Sequence, residues 1–293
     1  MNCYKYIDLC CGIGSFHYSF RNLGWECVLA ADIEPTVRQT YHANYGLMPT
    51  GDIYSIDAST VPKYDILCAG FPCQPFSQAG FGKGFQDNRG NLFFKILEFL
   101  DVNEPPMVLL ENVPHLLRHD DGNTWKTIRA ELEKRKYFID FKVLTASDYG
   151  IPQRRKRLFV IASKYGCTSL HSIKTQTTPS LSDYLGQAFE RNVAFTIRCG
   201  GRRSPIDDRH NWDGYWVQTQ EGRKAYRLTV ADAVKLQGFP PTFKWGTDCV
   251  TKQWKMLGNT IPTCLSGVVA KLVDTHYKEV DQALKLVAQL PSV

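Results

Sequence analysis

The sequence predicts an α/β fold: a doubly wound, mostly parallel sheet that carries a second, small, loop-rich domain. Three observations carry that expectation. Near the N-terminus a strand, a glycine turn, a helix, a second strand and an acid follow one another, as in a βαβ unit. Further on, Asp65-Ile66-Leu67-Cys68-Ala69 and Met107-Val108-Leu109-Leu110 are short apolar runs. Such runs suit parallel strands covered on both faces. From about Tyr165 the regular pattern fades and Ser, Thr, Gln, Gly and Arg dominate. A chain of 293 residues accommodates a large and a small domain. A hydrophobic content of 43% suffices for a sizeable core.

In chain order, Tyr4 to Cys11 is a strand candidate with a turn behind it. Gly12 and Gly14 shape that turn, and a helix follows with Phe16, Phe20 and Leu23 on its apolar face, ended by Gly24. Glu26 to Ala31 is the second strand, with Asp32 at its end. Asp32 lies about twenty residues past the glycines, the spacing that places a carboxylate on a ribose. His17 stands where G-x-G-x-x-G requires its third glycine, which argues against a dinucleotide oxidoreductase. Glu34 to Tyr45 reads as a helix closed by Gly46, and Gly51-Asp52-Ile53 as a turn.

Gly70 and Pro72 stop the next strand, and Cys73 follows at once. Gly80, Gly82, Gly84 and Gly90 come behind it. In open α/β sheets ligands bind outside the carboxyl ends of strands. A cysteine there is placed for chemistry, although a single cysteine is commonly just a small buried hydrophobe. Asn91 to Leu100 reads as a helix with Leu92, Phe93, Ile96 and Leu97 inward. The strand Met107–Leu110 ends in Glu111 and Asn112, which brings a carboxylate to the same sheet edge as Cys73. Trp125 to Lys136 is a helix, and Phe138–Leu144 and Leu158–Ala162 are strands. No helix fits between those two strands, so they form the antiparallel end of the sheet. Their connection holds Arg154, Arg155, Lys156 and Arg157, which a solvated basic face would also explain.

In the second domain Ala194 to Cys199 reads as a short strand. Residues 200 to 216 gather glycines, aspartates, two tryptophans and several cations, a surface suited to reading bases or to a stabilising Ω-loop. Arg198, Arg202, Arg203 and Arg209 are the candidate readers, with Asp207-Asp208 a brace for Arg209. Arg227 to Pro240 reads as a helix with flanking turns, and a C-terminal helix starts at about Thr263. The formal net charge of +6 fits a polyanionic partner. The ten cysteines form no C-x-x-C pair and no zinc spacing, so no metal site is expected and the thiols read as reduced. Polar residues interrupt the N-terminal apolar run, so no signal peptide is expected. No stretch approaches the roughly 18 apolar residues of a membrane span.

GFPCQPFSQAG, around Cys73, resembles the nucleophile motif of the DNA cytosine-5 methyltransferases. DLCCGIGSF, ENV at 111–113, QRRKR at 153–157 and GNT at 258–260 stand in that family's order and cover most of the chain. The resemblance implies the S-adenosylmethionine-dependent methyltransferase fold, with a catalytic domain of residues 1–165 plus 255–293 and a recognition domain of 166–254. It implies S-adenosylmethionine as cofactor, S-adenosylhomocysteine as product, and double-stranded DNA as partner of a monomer in the cytoplasm or in a host nucleus. Cys73, Glu111, Arg155 and Arg157 would be catalytic, the two arginines approaching the target cytosine and its phosphate. Asp8, Cys10, Gly12, Gly14, Asp32, Ile33, Asp52, Ile53, Phe71, Pro72, Leu92 and Asn259 would hold the cofactor. Cys10 is a departure, because the family usually has a phenylalanine there that packs on the adenine. A tRNA cytosine-5 methyltransferase, a nicotinamide-dependent oxidoreductase and a catalytically inert DNA-binding protein are the alternatives. The tRNA branch typically carries Cys-Phe-Thr, which this sequence lacks.

Overall fold

The computed structural model describes residues 4–72, 92–166 and 168–288. Cys73 and the glycine-rich segment behind it lie outside the described residues. The large sheet has six strands, β1 (Lys5–Leu9), β2 (Glu26–Ala31), β3 (Ile66–Gly70), β4 (Met107–Asn112), β5 (Phe138–Thr145) and β6 (Lys156–Ser163). Their spatial order is β2-β1-β3-β4-β6-β5. The first four run parallel, and β6 is antiparallel to both β4 and β5, as the helix-free connection required. The chain steps outward from β1 to β2 and then returns to β3 on the other side of β1. That reversal places the crevice of an open α/β sheet at the carboxyl ends of β1 and β3.

The strand period of two separates two apolar faces. Ile7, Leu9, Leu67, Ala69, Val108 and Leu110 pack on α3 (Leu92–Asn103) and α4 (Asn123–Lys134) through Phe93, Ile96, Leu97, Ile128 and Leu132. Tyr6, Cys68, Leu109, Phe159 and Ile161 pack on α1 (Ser15–Arg21) and α8 (Thr263–Ala288) through Phe16, Phe20, Leu265, Val269 and Val273. The helix α2 (Pro35–Tyr45) buries Val37 and Tyr41. Polar bonds join α1 and the turn before β2 to α8: Ser19 meets Ser266 at 2.8 Å, and Trp25 Nε1 donates to Asp274 Oδ1 at 2.8 Å.

Four sequence expectations change. Residues 194–199 do not form a strand; Ala194 makes an isolated bridge to Gln153, because Phe195 N–H and Ile197 N–H donate to the side chains of Tyr215 and Gln153 instead. The second domain instead contains a short helix α5 (Leu181–Leu185) and the hairpin β7 (Gly214–Thr219) and β8 (Gly222–Arg227). The helix expected from Arg227 is only α6 (Val230–Leu236), started by a capping box between Thr229 and Asp232. Arg227 ends β8 instead. Finally, the helical stretch Val250–Leu286 is long and apolar enough by composition to cross a membrane, contrary to expectation. Its apolar window is 67% buried in this fold, which accounts for its composition.

The helix α7 (Val250–Asn259) runs across the expected boundary at residue 254. One apolar core contains Phe16 and Phe20 of the sheet layer together with Trp212, Tyr215 and Phe239 of the second region.

Candidate active site

A cleft of about 800 Å³ opens at the carboxyl ends of β1 to β4. Its walls include Cys10, Gly12, Asp32, Ile33, Asp52, Ile53, Phe71, Pro72, Leu92 and Asn259, so ten of the expected cofactor residues converge there. The turn after β1 creates the floor. Cys10 is held at φ 57° and Gly12 at φ 54°, left-handed values that fold the chain back sharply. Gly12 N–H then donates to Asp32 Oδ2 at 3.0 Å, and Glu34 N–H to Asp32 Oδ1 at 2.9 Å. Burial raises the Asp32 carboxyl, and these two amides oppose the rise. Ile33 lies on the cleft wall and is 70% exposed. Asp52 accepts from Tyr54 N–H at 3.0 Å and caps a short helical turn. Gly14 does not line the cleft; its missing side chain makes room for the ring of Tyr45.

Asp8 lines a small pocket shared with Cys10, Gly12, Gly70, Glu111 and Asn259. The residue is 1% exposed, and neither carboxylate oxygen has a hydrogen-bond partner among the described residues. Burial first, and the charge of Asp32 second, push its carboxyl well above the usual range. An unpartnered buried acid is costly. It fits a cationic group brought in by a ligand, such as the ammonium or sulfonium of S-adenosylmethionine.

Glu111 leaves β4 opposite Gly70 of β3. A side chain at Gly70 would come within 3.3 Å of Glu111 Oε2, so the glycine keeps that oxygen accessible. Glu111 Oε1 lies 2.8 Å from Arg157 Nε, and both side chains are about nine-tenths buried, at 10% and 11% exposure. Burial raises the Glu111 carboxyl, while Arg157 and then Arg155 pull it down. The pair lines the same cleft as the cofactor residues. Asn112 Nδ2 donates to the carbonyl of Phe71 at 2.7 Å, which fixes the chain two residues before Cys73.

Arg155 departs from expectation. It is fully buried and does not line the cleft. Its Nη1 donates to Ile197 O at 2.7 Å, and its Nη2 to Gly258 O and Thr260 O, each at 2.6 Å. A side chain committed to three carbonyls fastens the backbone and does not reach outward to a base or phosphate. Cys68, the nearest described thiol to position 73 along the strand, is fully buried in β3. Burial pushes its thiol well up, so it offers no thiolate.

In the second region Arg198, Arg203 and Arg209 are exposed and Arg202 is half-buried, with its guanidinium 4.9 Å from the centre of the Trp254 ring. The two aspartates do not brace Arg209. Asp208 accepts from His210 N–H at 2.6 Å, and Asp207 accepts from Trp216 Nε1 at 3.2 Å, because the loop turns back on itself there. Sequence reasoning missed Glu34, Lys252, Lys255 and Met256, which complete the cleft. Lys255 of α7 reaches Glu34 at 3.5 Å across it, a pairing of distant segments with no local signal.

A doubly wound sheet with a glycine turn, an acid at the end of β2 and a carboxylate–arginine pair at the end of β4 defines the S-adenosylmethionine-dependent methyltransferase fold. Residues 4–192 match the family of C-5 cytosine-specific DNA methylases. The chain belongs to that family and is a DNA cytosine-5 methyltransferase. It is 34% identical over 299 residues to the type II methyltransferase M.DsaV of Dactylococcopsis salina, covering 91% of this chain and 85% of that one. It is 33% identical to M.MspI of Moraxella sp, covering 95% and 72%. Among solved structures, the S. pombe Dnmt2 methyltransferase superposes with a TM-score of 0.73 at 19% identity, over 93% of this chain and 99% of that one. A likeness at that identity concerns the fold alone.

Proposed function

We propose that this chain methylates C5 of a cytosine within a specific short sequence of double-stranded DNA, acting as a monomer on cytoplasmic DNA, as a type II modification enzyme. S-adenosylmethionine, when bound, supplies an electrophilic methyl group and leaves as S-adenosylhomocysteine. Asp8, Cys10, Gly12, Asp32, Ile33, Asp52, Ile53, Phe71, Pro72, Leu92 and Asn259 would hold it. The observation that carries this reading is the Glu111–Arg157 pair, set 2.8 Å apart at the edge of that cleft.

Cytosine is electron-poor at C6 and unreactive at C5. A thiolate from Cys73 adding to C6 turns C5 into a nucleophilic enamine. Glu111 holds or protonates N3 so that charge does not build on the ring, and its raised carboxyl favours the protonated form. Arg157 orients that carboxyl and presents positive charge toward O2. After methyl transfer the C5 proton is lost and the thiol is eliminated. Neither carbon is reachable in a duplex, so the base must be flipped out, at a cost of about a few kcal/mol. Residues 1–165 with 255–293 form the catalytic domain and 166–254 the recognition domain. Arg198, Arg202, Arg203 and Arg209 are the candidate readers.

Duplex DNA carrying 5-fluorocytosine tests the reading, because fluorine cannot leave as a cation. A covalent adduct should accumulate with S-adenosylmethionine present and disappear entirely in Cys73→Ser. Persistence of the adduct in that variant would place the nucleophile elsewhere.

A further inference from the structure

Asn259 lines both the large cleft and the small pocket beside Asp8. It closes α7, and a second segment lies directly against that turn. Arg155 ties Ile197 O to Gly258 O and Thr260 O. A Cβ at Gly258 would overlap the backbone of Arg198 and Cys199, so only glycine permits the two chains to touch. The outcome is that the Cys199 thiol lies against Asn259 Oδ1, with its Sγ 3.6 Å from the carbonyl of Lys255. Both neighbours are acceptors, so the thiol is the donor.

An asparagine amide has one accepting and one donating end, and a half-turn about its last bond exchanges them. A donor fixed on Oδ1 selects one orientation and leaves Nδ2 as the end that can face a ligand. Burial raises the Cys199 thiol despite the opposing charges of Arg155, Lys255 and Arg157, which keeps the donating proton in place near neutral pH.

We infer that Cys199, a residue of the segment expected to serve DNA recognition, is a positioning residue for the cofactor: its S–H sets the orientation of the Asn259 amide. The inference rests on the reading of the cleft as the S-adenosylmethionine site. Asn259 thereby presents its amide N–H to a ligand acceptor, such as the methionine carboxylate or a ribose oxygen. It also means that a segment next to the recognition loops contributes to cofactor affinity.

Cys199 is exposed, so its replacement leaves the core intact. The full chain and its Cys199→Ala and Cys199→Ser variants are titrated with S-adenosylhomocysteine by calorimetry, and initial rates are measured on methylatable duplex DNA. Cys199→Ala should bind about three- to tenfold more weakly, the scale of one neutral hydrogen bond. Its KM for S-adenosylmethionine should rise equally while kcat falls no more than about twofold. Cys199→Ser keeps a donor and should bind within about twofold of the parent. Unchanged affinity in Cys199→Ala overturns the inference. So does an equal loss in Cys199→Ser, which would assign the effect to packing. A parent chain that fails to bind S-adenosylhomocysteine refutes the cofactor reading of the cleft itself, a different failure from either of these.

Discussion

The strand ends of the sheet and the loops around residues 198–213 handle charge in opposite ways. Two acids at the strand ends are buried and short of partners among the described residues: Asp8 has none, and Glu111 pairs with Arg157. In the loops Arg198, Arg203 and Arg209 are exposed while the residues that hold the backbone are buried and satisfied. Asp213 has a side chain only 5% exposed. It accepts from Arg203 N–H at 3.2 Å and from Arg227 Nη1 at 2.9 Å. Arg227 Nη2 also donates to Ser204 O, and Asn211 bonds to Ile206 O and Gly214. The rigid sheet can leave charges unsatisfied, because many strand bonds fix their position and a ligand completes them. A loop has no such scaffold, so its buried polar groups go to holding its own shape, and its exposed arginines are left to solvent.

Breaking the brace should have the largest effect on stability. Arg227→Ala strands the buried Asp213 carboxylate. Removing a partner from a fully buried pair costs about 3–5 kcal/mol. Arg227 is 37% exposed, so water screens part of that, and about 2–3 kcal/mol is expected. Urea unfolding checks the loss, and an unchanged midpoint would mean that the loop is held by something else.

The matching change at the strand ends should spare stability more and binding less. Asp32→Ala should weaken S-adenosylmethionine by ~1–3 kcal/mol through a lost charge-assisted hydrogen bond. It should leave DNA binding without cofactor nearly unchanged. Equal cofactor affinity by calorimetry would reject the ribose role of Asp32.

Asp8 sharpens the contrast through pH. Its folded carboxyl holds its proton far more tightly than the unfolded chain's, which titrates near ~3.9. The associated stability is therefore fully present below that pH and is lost as pH rises toward the folded value. Asp8→Asn should remove this dependence. The cofactor-free variant should gain at least ~2–4 °C in Tm at neutral pH, the worth of about 1 kcal/mol in a domain of this size. It should bind S-adenosylmethionine more weakly. Loss of Tm on substitution would show that Asp8 is satisfied in solution.

A last pair of variants separates reading from holding. Arg203→Ala should relax discrimination beside the target cytosine by ~1–3 kcal/mol while methylation persists. Arg154→Ala, also at an exposed arginine, should weaken binding by a similar factor on every sequence and flatten the salt dependence. Methylation mapped over a random duplex library distinguishes the two, and a sequence-selective loss in Arg154→Ala would contradict the division.

Local pattern determined much of this protein. The apolar runs of β3 and β4, the glycine turn after β1 and the acids Asp32 and Glu111 at strand ends could be read directly. Strand and helix periods are short-range, and a strand's end fixes where its next side chain goes. Motif order brought ten of the expected cofactor residues to one cleft for the same reason: parallel strands bring their carboxyl ends to one edge. The hairpin β7–β8 was hidden because Gly222 to Ala225 are exposed, leaving no apolar alternation to read. Only the tertiary structure decided that Arg155 turns inward to three carbonyls while Arg157, two residues on, meets Glu111. It alone paired Lys255 with Glu34 and Cys199 with Asn259. A long side chain's direction depends on which acceptors other segments bring within reach, and packing, not sequence spacing, supplies them.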